Sequence, residues 1–460
     1  MSRPVLVLLT LALALGLYLW LVEMPADRKR LQTETESAQL VTFKDSDVRG
    51  FTVHSATGDI ELTRNIDPPD GWIITKPRAM EADRQAVEGF LRTLVLAKVS
   101  RVVDDSAKDL AAYGLATPAL SVSLRLGSGN QTIQFGDSGP LSSTLYAQRN
   151  GEPKVLLTSV SGRDILTKGL QDLRRKRVLE FDRVRVTRLK IENPEETVVL
   201  YKEGRGEKGT WIIKAPVETT ADQPEVRSLL FGLEDLKAQA FIDDPQERRA
   251  QKSELKVPTA TITVHEDVQA GQAADTDRTI RLFLSPKNAM TAYAETSSQE
   301  PLYLVPAAAA KDLAKNLFTL RNKQLIAAEP EQVKTLVIKK DGEEYSLTHE
   351  GNDWLIDGNP GAKADAGRIN MFVSRAVRLQ AERVVTDKPG DLKSYGLSSP
   401  VAELTAADSQ GKVLGSLAVG RQENHLAYAR GSAMPGIFQI RPDILLEIPK
   451  KSDLAKLATP

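Results

Sequence analysis

The stretch Gly71–Asp83 reads GWIITKPRAMEAD, and two later stretches repeat its pattern: TWIIKAPVETTAD over Thr210–Asp222 and DWLIDGNPGAKAD over Asp353–Asp365. Each opens on a Trp followed by apolar residues, and each closes on an Ala-Asp pair 11 residues after the Trp. Further along, YGLATP, ELKVP and YGLSSP end at Pro118, Pro258 and Pro400, which lie 46, 47 and 46 residues beyond Trp72, Trp211 and Trp354. A Tyr-Ala pair then recurs at Tyr146, Tyr293 and Tyr428. Four landmarks in one order, three times, indicate triplication. The Trp-to-Trp periods of 139 and 143 residues are domain-sized rather than solenoid-sized.

Inside one copy, VRGFTVHS and DIELTR flank Gly58 as a hairpin, and WIIT adds a strand. Asp83 is placed to cap a helix that carries Val87, Phe90, Leu91, Leu94 and Val95 on one face. The second copy sets Val226, Leu229, Leu230 and Leu233 behind Asp222, with Glu225 positioned for a capping box; the third sets Ile369, Phe372, Val373 and Ala376 behind Asp365. A strand KVSRVV, a helical turn before Tyr113, the alternating runs LSVSLRL, TIQF and TLYAQ, and a closing helix over SGRDILTKGL complete the unit. The expected class is α+β: an antiparallel meander with one main amphipathic helix per copy, over residues 40–170, 171–318 and 319–460.

Residues 4–22 carry no charge and are rich in Leu, Val and Ala, with Tyr18 and Trp20 near the far end. That length predicts one membrane-spanning anchor, because about 20 apolar residues cross a bilayer and the following Glu23-Met24-Pro25-Ala26 is a poor cleavage site. Residues 23–39 read as a polar spacer. Arg28, Lys29 and Arg30 follow the apolar run and only Arg3 precedes it, a charge count that places the bulk of the chain in the cytoplasm.

Composition narrows the chemistry. The 460 residues hold 61 basic and 61 acidic side chains, a formal net charge of zero that disfavours nucleic-acid binding. There is no cysteine, which excludes disulfides, thiol nucleophiles, Fe–S clusters and cysteine zinc sites. The four histidines, His54, His265, His349 and His425, are far apart in sequence.

Each local motif has a structural explanation. Gly136-Asp137-Ser138-Gly139-Pro140 spells the surroundings of a protease nucleophile, but a catalytic Ser needs a His and an acid. The upstream His54 sits on a predicted strand, and the equivalent segments Val419–Gln422 and Leu284–Lys287 carry no Ser at that place in a Gly-Asp-Ser-Gly context. A turn is the simpler reading. Gly204–Gly209 matches G-x-G-x-x-G, yet VVLYKE precedes it and WIIK follows, so a hairpin loop is expected and not a dinucleotide fold. Arg174-Arg175-Lys176-Arg177 recurs in part as Leu320-Arg321-Asn322-Lys323, which favours a connector over a basic patch. The recurring Asp residues read as helix caps and the Trp residues as core. No catalytic, cofactor-binding or metal-ligating residue is assigned.

These landmarks resemble the bacterial domain of unknown function 4340 family: the Trp-Ile-Ile strand with its Pro, the Ala-Asp helix start, the Tyr-Gly-Leu-x-x-Pro turn, the Tyr-Ala strand, and the domain openings LRRKRVLEFD and LRNKQLIAAE. Copy two departs in having Glu254-Leu255-Lys256-Val257-Pro258 where the Tyr-Gly-Leu turn stands elsewhere. The resemblance implies a non-enzymatic, cofactor-free accessory protein. It also implies an inner-membrane location with the bulk of the chain periplasmic, against the charge count, and ABC transporter permease and ATPase subunits of a gliding-type system as partners. The other expectation is an extracytoplasmic module that binds an envelope sugar, lipid or peptide in a cleft.

Overall fold

The computed structural model describes residues 39–456 apart from 57, 66–70, 142–143, 160–167, 205, 268–275 and 298–300. The first repeat contributes β1 (Val48–Ser55), β2 (Gly58–Asn65), β3 (Gly71–Lys76), β4 (Met80–Glu81), helix α1 (Arg84–Leu96), β5 (Lys98–Asp104), β6 (Leu120–Leu126), β7 (Gly129–Ser138), β8 (Thr144–Arg149), β9 (Val155–Ser159) and α2 (Leu170–Leu173). The second contributes β10 (Val186–Glu192), β11 (Thr197–Glu203), β12 (Thr210–Ala215), β13 (Thr219–Thr220), α3 (Gln223–Glu234), β14 (Ala240–Ile242), α4 (Pro245–Glu254), β15 (Ala260–Glu266), β16 (Thr276–Leu284), β17 (Thr291–Thr296), β18 (Leu302–Pro306), α5 (Ala307–Leu313) and α6 (Leu317–Leu320). The third contributes β19 (Thr335–Lys340), β20 (Glu343–Glu350), β21 (Asp353–Ile356), β22 (Asn359–Ala364), α7 (Ala366–Val377), β23 (Arg383–Thr386), β24 (Ala402–Ala407), β25 (Val413–Glu423), β26 (Leu426–Gly431), β27 (Ile437–Ile440), α8 (Asp443–Glu447) and α9 (Lys451–Lys456).

Each repeat is one nine-stranded sheet with the same order, β4-β3-β2-β1-β6-β7-β8-β9-β5 in the first, and every pairing is antiparallel. Helix α1 leaves β4 at one edge and delivers the chain to β5 at the other. Eight inter-strand spacings would hold the edges of a flat sheet roughly 38 Å apart, whereas a helix of 13 residues rises only about 20 Å. The sheet therefore curls around its helix. Strand residues of period two and helix residues of period near 3.6 meet inside: Phe51 stacks on Phe90 at 5.4 Å and meets the Trp72 ring edge to face at 5.5 Å, and all three are buried.

The expected α+β class is thus corrected to a largely β protein of three repeated antiparallel sheets. The one main amphipathic helix expected per copy is present, with Val87, Phe90, Leu91 and Leu94 of α1 buried and Leu96 64% exposed, but the strands dominate each unit. Two features hid this in the sequence. β4 and β13 are two residues long, too short for alternation to register, and β5 finds its partner β9 across more than 50 residues. The closing helix expected over Ser161–Leu170 falls largely on residues outside those described.

The expected inner-membrane, periplasm-facing location is corrected to what the fold shows: among the described residues no helix is long and apolar enough to cross a membrane. Residues 4–22, the expected single-pass anchor, and nearly all of 23–39 lie outside the described residues.

The described chain divides into two compact units at Lys176/Arg177, the first holding one sheet and the second two. In the first unit the residues after α2 pair with the β4 edge, with Ala82 bridging Arg174 and the Asp83 amide donating to the Leu173 carbonyl at 2.8 Å. In the second unit Leu320–Lys323 does the same to β13: Ala221 bridges Arg321, and the Asp222 amide donates to the Leu320 carbonyl at 2.8 Å. The same strand then enters the third sheet, where the Ala381 amide donates to the Lys323 carbonyl and Gln324 bridges Gln380.

Candidate functional site

The three landmark Trp side chains are buried, at 3%, 3% and 1% exposure for Trp72, Trp211 and Trp354. Each starts or nearly starts a strand whose neighbour presents a cationic or imidazole side chain directly opposite: Arg64 to Trp72, Lys202 to Trp211 and His349 to Trp354. The Arg64 guanidinium lies 5.1 Å and the Lys202 ammonium 5.7 Å from the indole centroid, and the His349 ring stacks at 4.8 Å. A helix residue 16 positions after the Trp completes the trio, and here the copies diverge: Glu88, Arg227 and Asn370.

That divergence decides the fate of the indole N–H. In the third repeat Trp354 Nε1 donates to Asn370 Oδ1 at 2.8 Å. In the first, Glu88 turns to Arg84 at 2.6 Å and Trp72 Nε1 is buried without a partner among the described residues. In the second, Arg227 has no acceptor to offer, and Trp211 Nε1 makes no hydrogen bond to a described residue. Beside it opens a cleft of about 310 Å³, lined by Arg183, Val184, Lys202, Trp211, Arg227 and Phe231 among others. Phe231 is 46% and Val184 42% exposed, and the Arg183 guanidinium sits 3.5 Å from the Phe231 ring centroid. Arg183 Nε lies 3.1 Å from Glu234 Oε2 but lacks hydrogen-bond geometry to it. Three cationic side chains, Phe231 and the Trp211 indole therefore line one opening, and no described carboxylate lines it.

The cleft is held by the repeat's own architecture. The α3 cap Asp222 accepts from the Glu225 amide at 3.2 Å, and the N1 residue Gln223 ties back to β12 by accepting from the Trp211 amide at 2.8 Å and donating to its carbonyl at 2.9 Å. This fixes Arg227 and Phe231 on α3 against Lys202 on β11. The other two landmark Asp residues cap in the same way, Asp83 from the Ala86 amide at 3.0 Å and Asp365 from the Arg368 amide at 2.8 Å. Glu225 does not close the expected capping box; it pairs with Lys315 at 3.1 Å.

The remaining motifs fall elsewhere. Ser138 ends β7 opposite Leu145 and is exposed. His54 pairs with Ser121 on β6, which pairs with Gln134 on β7, so two strand spacings and four residues separate His54 from Ser138, roughly 15 Å. The Nδ1 of His54 faces Asp59 at 2.8 Å on the adjoining strand. Gly136 has a packing reason: a Cβ there would meet the Tyr113 carbonyl oxygen at 2.1 Å, because the Tyr-Gly-Leu turn lies against the β7 bulge. Tyr113 and Tyr146 consequently meet edge to face at 5.1 Å, and Tyr395 and Tyr428 do so at the same distance. Gly204–Gly209 is the loop between β11 and β12, with Gly204 and Gly206 at positive φ. Arg174 is 5% exposed, and Arg321, fully buried, gives Nη1 to Asp387 at 2.7 Å while its guanidinium lies 5.4 Å from the Phe438 ring.

One cross-strand cluster joins Arg188, His265 and Asp277. Asp277 is held below the usual carboxylate range first by its hydrogen bond from His265 and then by Arg188. Among the described residues no group of three or more His, Asp and Glu side chains has metal-ligand geometry. Sequence reading did not single out Arg183, Lys202, Arg227 or Phe231. The available signal was the non-equivalence of Glu88, Arg227 and Asn370 at one position of the repeat.

No curated protein and no solved structure matches the chain. A family model described as Domain of unknown function (DUF4340) matches residues 72–210, 211–361 and 354–452. The segments open at Trp72, Trp211 and Trp354, so each match starts two strands inside a sheet, and the first two run into the next repeat. With three tandem matches over most of its length, the chain belongs to the DUF4340 family.

Proposed function

We propose that this protein is a non-enzymatic interaction protein, an accessory component that grips a partner through its tandem sheets; the family resemblance points to the permease and ATPase subunits of an ABC-type transport system as the partner. The observation that carries the reading is the cleft of the second repeat. Exposed Phe231 and Val184 framed by Arg183, Lys202 and Arg227 form the aromatic-plus-arginine composition that dominates binding energy at protein interfaces. Burying half-exposed Phe231 against a partner gains an apolar contact in a place already held rigid by Gln223 and Asp222.

The test is cross-linking in cells followed by affinity purification of the tagged chain. Stoichiometric recovery of an ABC permease and its ATPase supports the reading, with loss of recovery in Phe231→Ala locating the contact. Recovery of no stoichiometric protein sinks it and favours a second reading, a module for a small ligand. That reading draws on the same cleft, whose volume of about 310 Å³ lies at the lower end of small-molecule sites. An activity of the purified chain lost on Ser138→Ala would defeat both.

A further inference from the structure

We propose that the cleft of the second repeat recognises an oxyanion, a carboxylate or a phosphate, carried beside an apolar or aromatic group on a peptide segment of the partner. The proposal rests on the interaction reading above and adds the chemistry of what is gripped. Its basis is a comparison the molecule makes with itself. Trp354 is 1% exposed and its N–H is answered by Asn370 at 2.8 Å. Trp211 is 3% exposed, lines the cleft, and makes no hydrogen bond to a described residue because the equivalent helix position is Arg227, itself a donor. Unlike Trp72 Nε1, which is sealed from solvent without a described partner, the Trp211 N–H stays open to an acceptor that enters the cleft.

The surroundings select the charge of that acceptor. Arg227 makes no ion pair to a described side chain, Lys202 lies over the Trp211 ring, and Arg183 adds a third cation. Glu234 offsets part of the charge at Arg183 only, at 3.1 Å. The result is a donor-rich opening where an anion gains charge-assisted hydrogen bonds. Phe231, 46% exposed beneath the Arg183 guanidinium, and Val184, 42% exposed, supply the apolar wall for the group next to the oxyanion. The first repeat cannot offer the same site, since Glu88 replaces the arginine, and in the third the indole is already satisfied.

The test uses the full chain, 15N-labelled, titrated with N-acetyl-phenylalanine, phenyl phosphate and the neutral N-acetyl-phenylalanine amide. The Trp211 indole N–H resonance, assigned with Trp211→Phe, is expected to shift downfield with one or both acids, while the Trp354 resonance stays in place. The amide binds at least about tenfold more weakly, and added salt weakens the acids. Arg227→Asn installs the residue that the third repeat carries, so the fold is retained, and it lowers acid binding at least about tenfold; Lys202→Gln lowers it in the same direction. Preference for phenyl phosphate identifies a phosphorylated segment, and preference for the carboxylate an acidic one. Equal binding of the amide, an unmoved Trp211 resonance, or full binding in both variants overturns the proposal. If the acids fail while a cross-linked partner is still recovered, the oxyanion assignment falls and the interaction reading stands.

Discussion

At the scale of single residues, two side chains of the third repeat show how polar groups are answered, one at a buried indole and one at the surface. Asn370 accepts the Trp354 indole N–H, and Asn370→Ala leaves that donor buried without a partner. The expected loss is about 1–3 kcal/mol of unfolding free energy, measured by urea denaturation; a loss no larger than that of an exposed helix substitution would contradict the assignment. Asp357 is held below the usual carboxylate range first by Lys451, at 2.6 Å, and next by the Ser346 amide, at 2.8 Å. Because its folded pKa is lowered, its contribution is present above the ordinary value near ~3.9 and disappears as the pH falls through the folded value. Asp357→Asn keeps a side chain that tolerates the φ of 51°. Asp357 is 43% exposed, so after solvent screening the variant should lose only a few tenths of a kcal/mol at pH 7. The difference should close below the folded pKa, as followed by thermal unfolding across pH.

At the scale of elements, the Tyr-Gly-Leu turn and the strand bulge form one device. Gly396, at φ 70°, lies against Arg421, and a Cβ on Gly420 would meet the Tyr395 carbonyl oxygen at 2.2 Å. The register of β25 against β26 shifts at this place, as β7 against β8 does in the first repeat. The second repeat has neither part: α4 replaces the turn, and β16 pairs with β17 without a shift. Turn and bulge are therefore lost together. Gly420→Ala is expected to cost more than about 2 kcal/mol and to break the Tyr395–Tyr428 contact, visible in near-ultraviolet circular dichroism. Leu284→Ala, on the unshifted strand end of the second repeat and 36% exposed, should cost under about 1 kcal/mol. Equal losses at the two sites would refute the coupling of turn and bulge.

At the scale of the molecule, Arg321 joins the second and third repeats. It leaves the edge of one sheet and buries its guanidinium in the next against Asp387 and Phe438, with Nε and Nη2 unanswered by any described residue. Lys323 reaches back to the cap Asp222 at 3.4 Å. Removing one half of a buried pair strands the other, so Arg321→Ala should destabilise residues 177–460 by about 3 kcal/mol. The double variant Arg321→Met with Asp387→Asn should recover much of that loss. Hydrogen exchange provides the check: protection should fall in Arg321→Ala both at the Asp222 amide and at the Leu325 and Ala381 amides, on either side of the joint. A fall confined to one repeat would show that Arg321 does not couple them.

The sequence by itself determined the triplication, the capping role of Asp83, Asp222 and Asp365, the inward faces of α1, α3 and α7, and the connector Leu320–Lys323. Each of these is written in a local period or in recurrence along the chain, and so needs no knowledge of what lies opposite. Fold class was beyond that reading, because β4 and β13 are only two residues long, and β5, legible as a strand, is placed in its sheet only by pairing with β9 more than 50 residues on. The tertiary structure alone decided that the sheet curls around its helix and that Tyr113 meets Tyr146. It alone also decided that Arg183, Lys202, Arg227 and Phe231 line one cleft with Trp211. Those side chains come from a loop, a strand and a helix; their meeting is set by sheet closure and register, which no window of sequence contains.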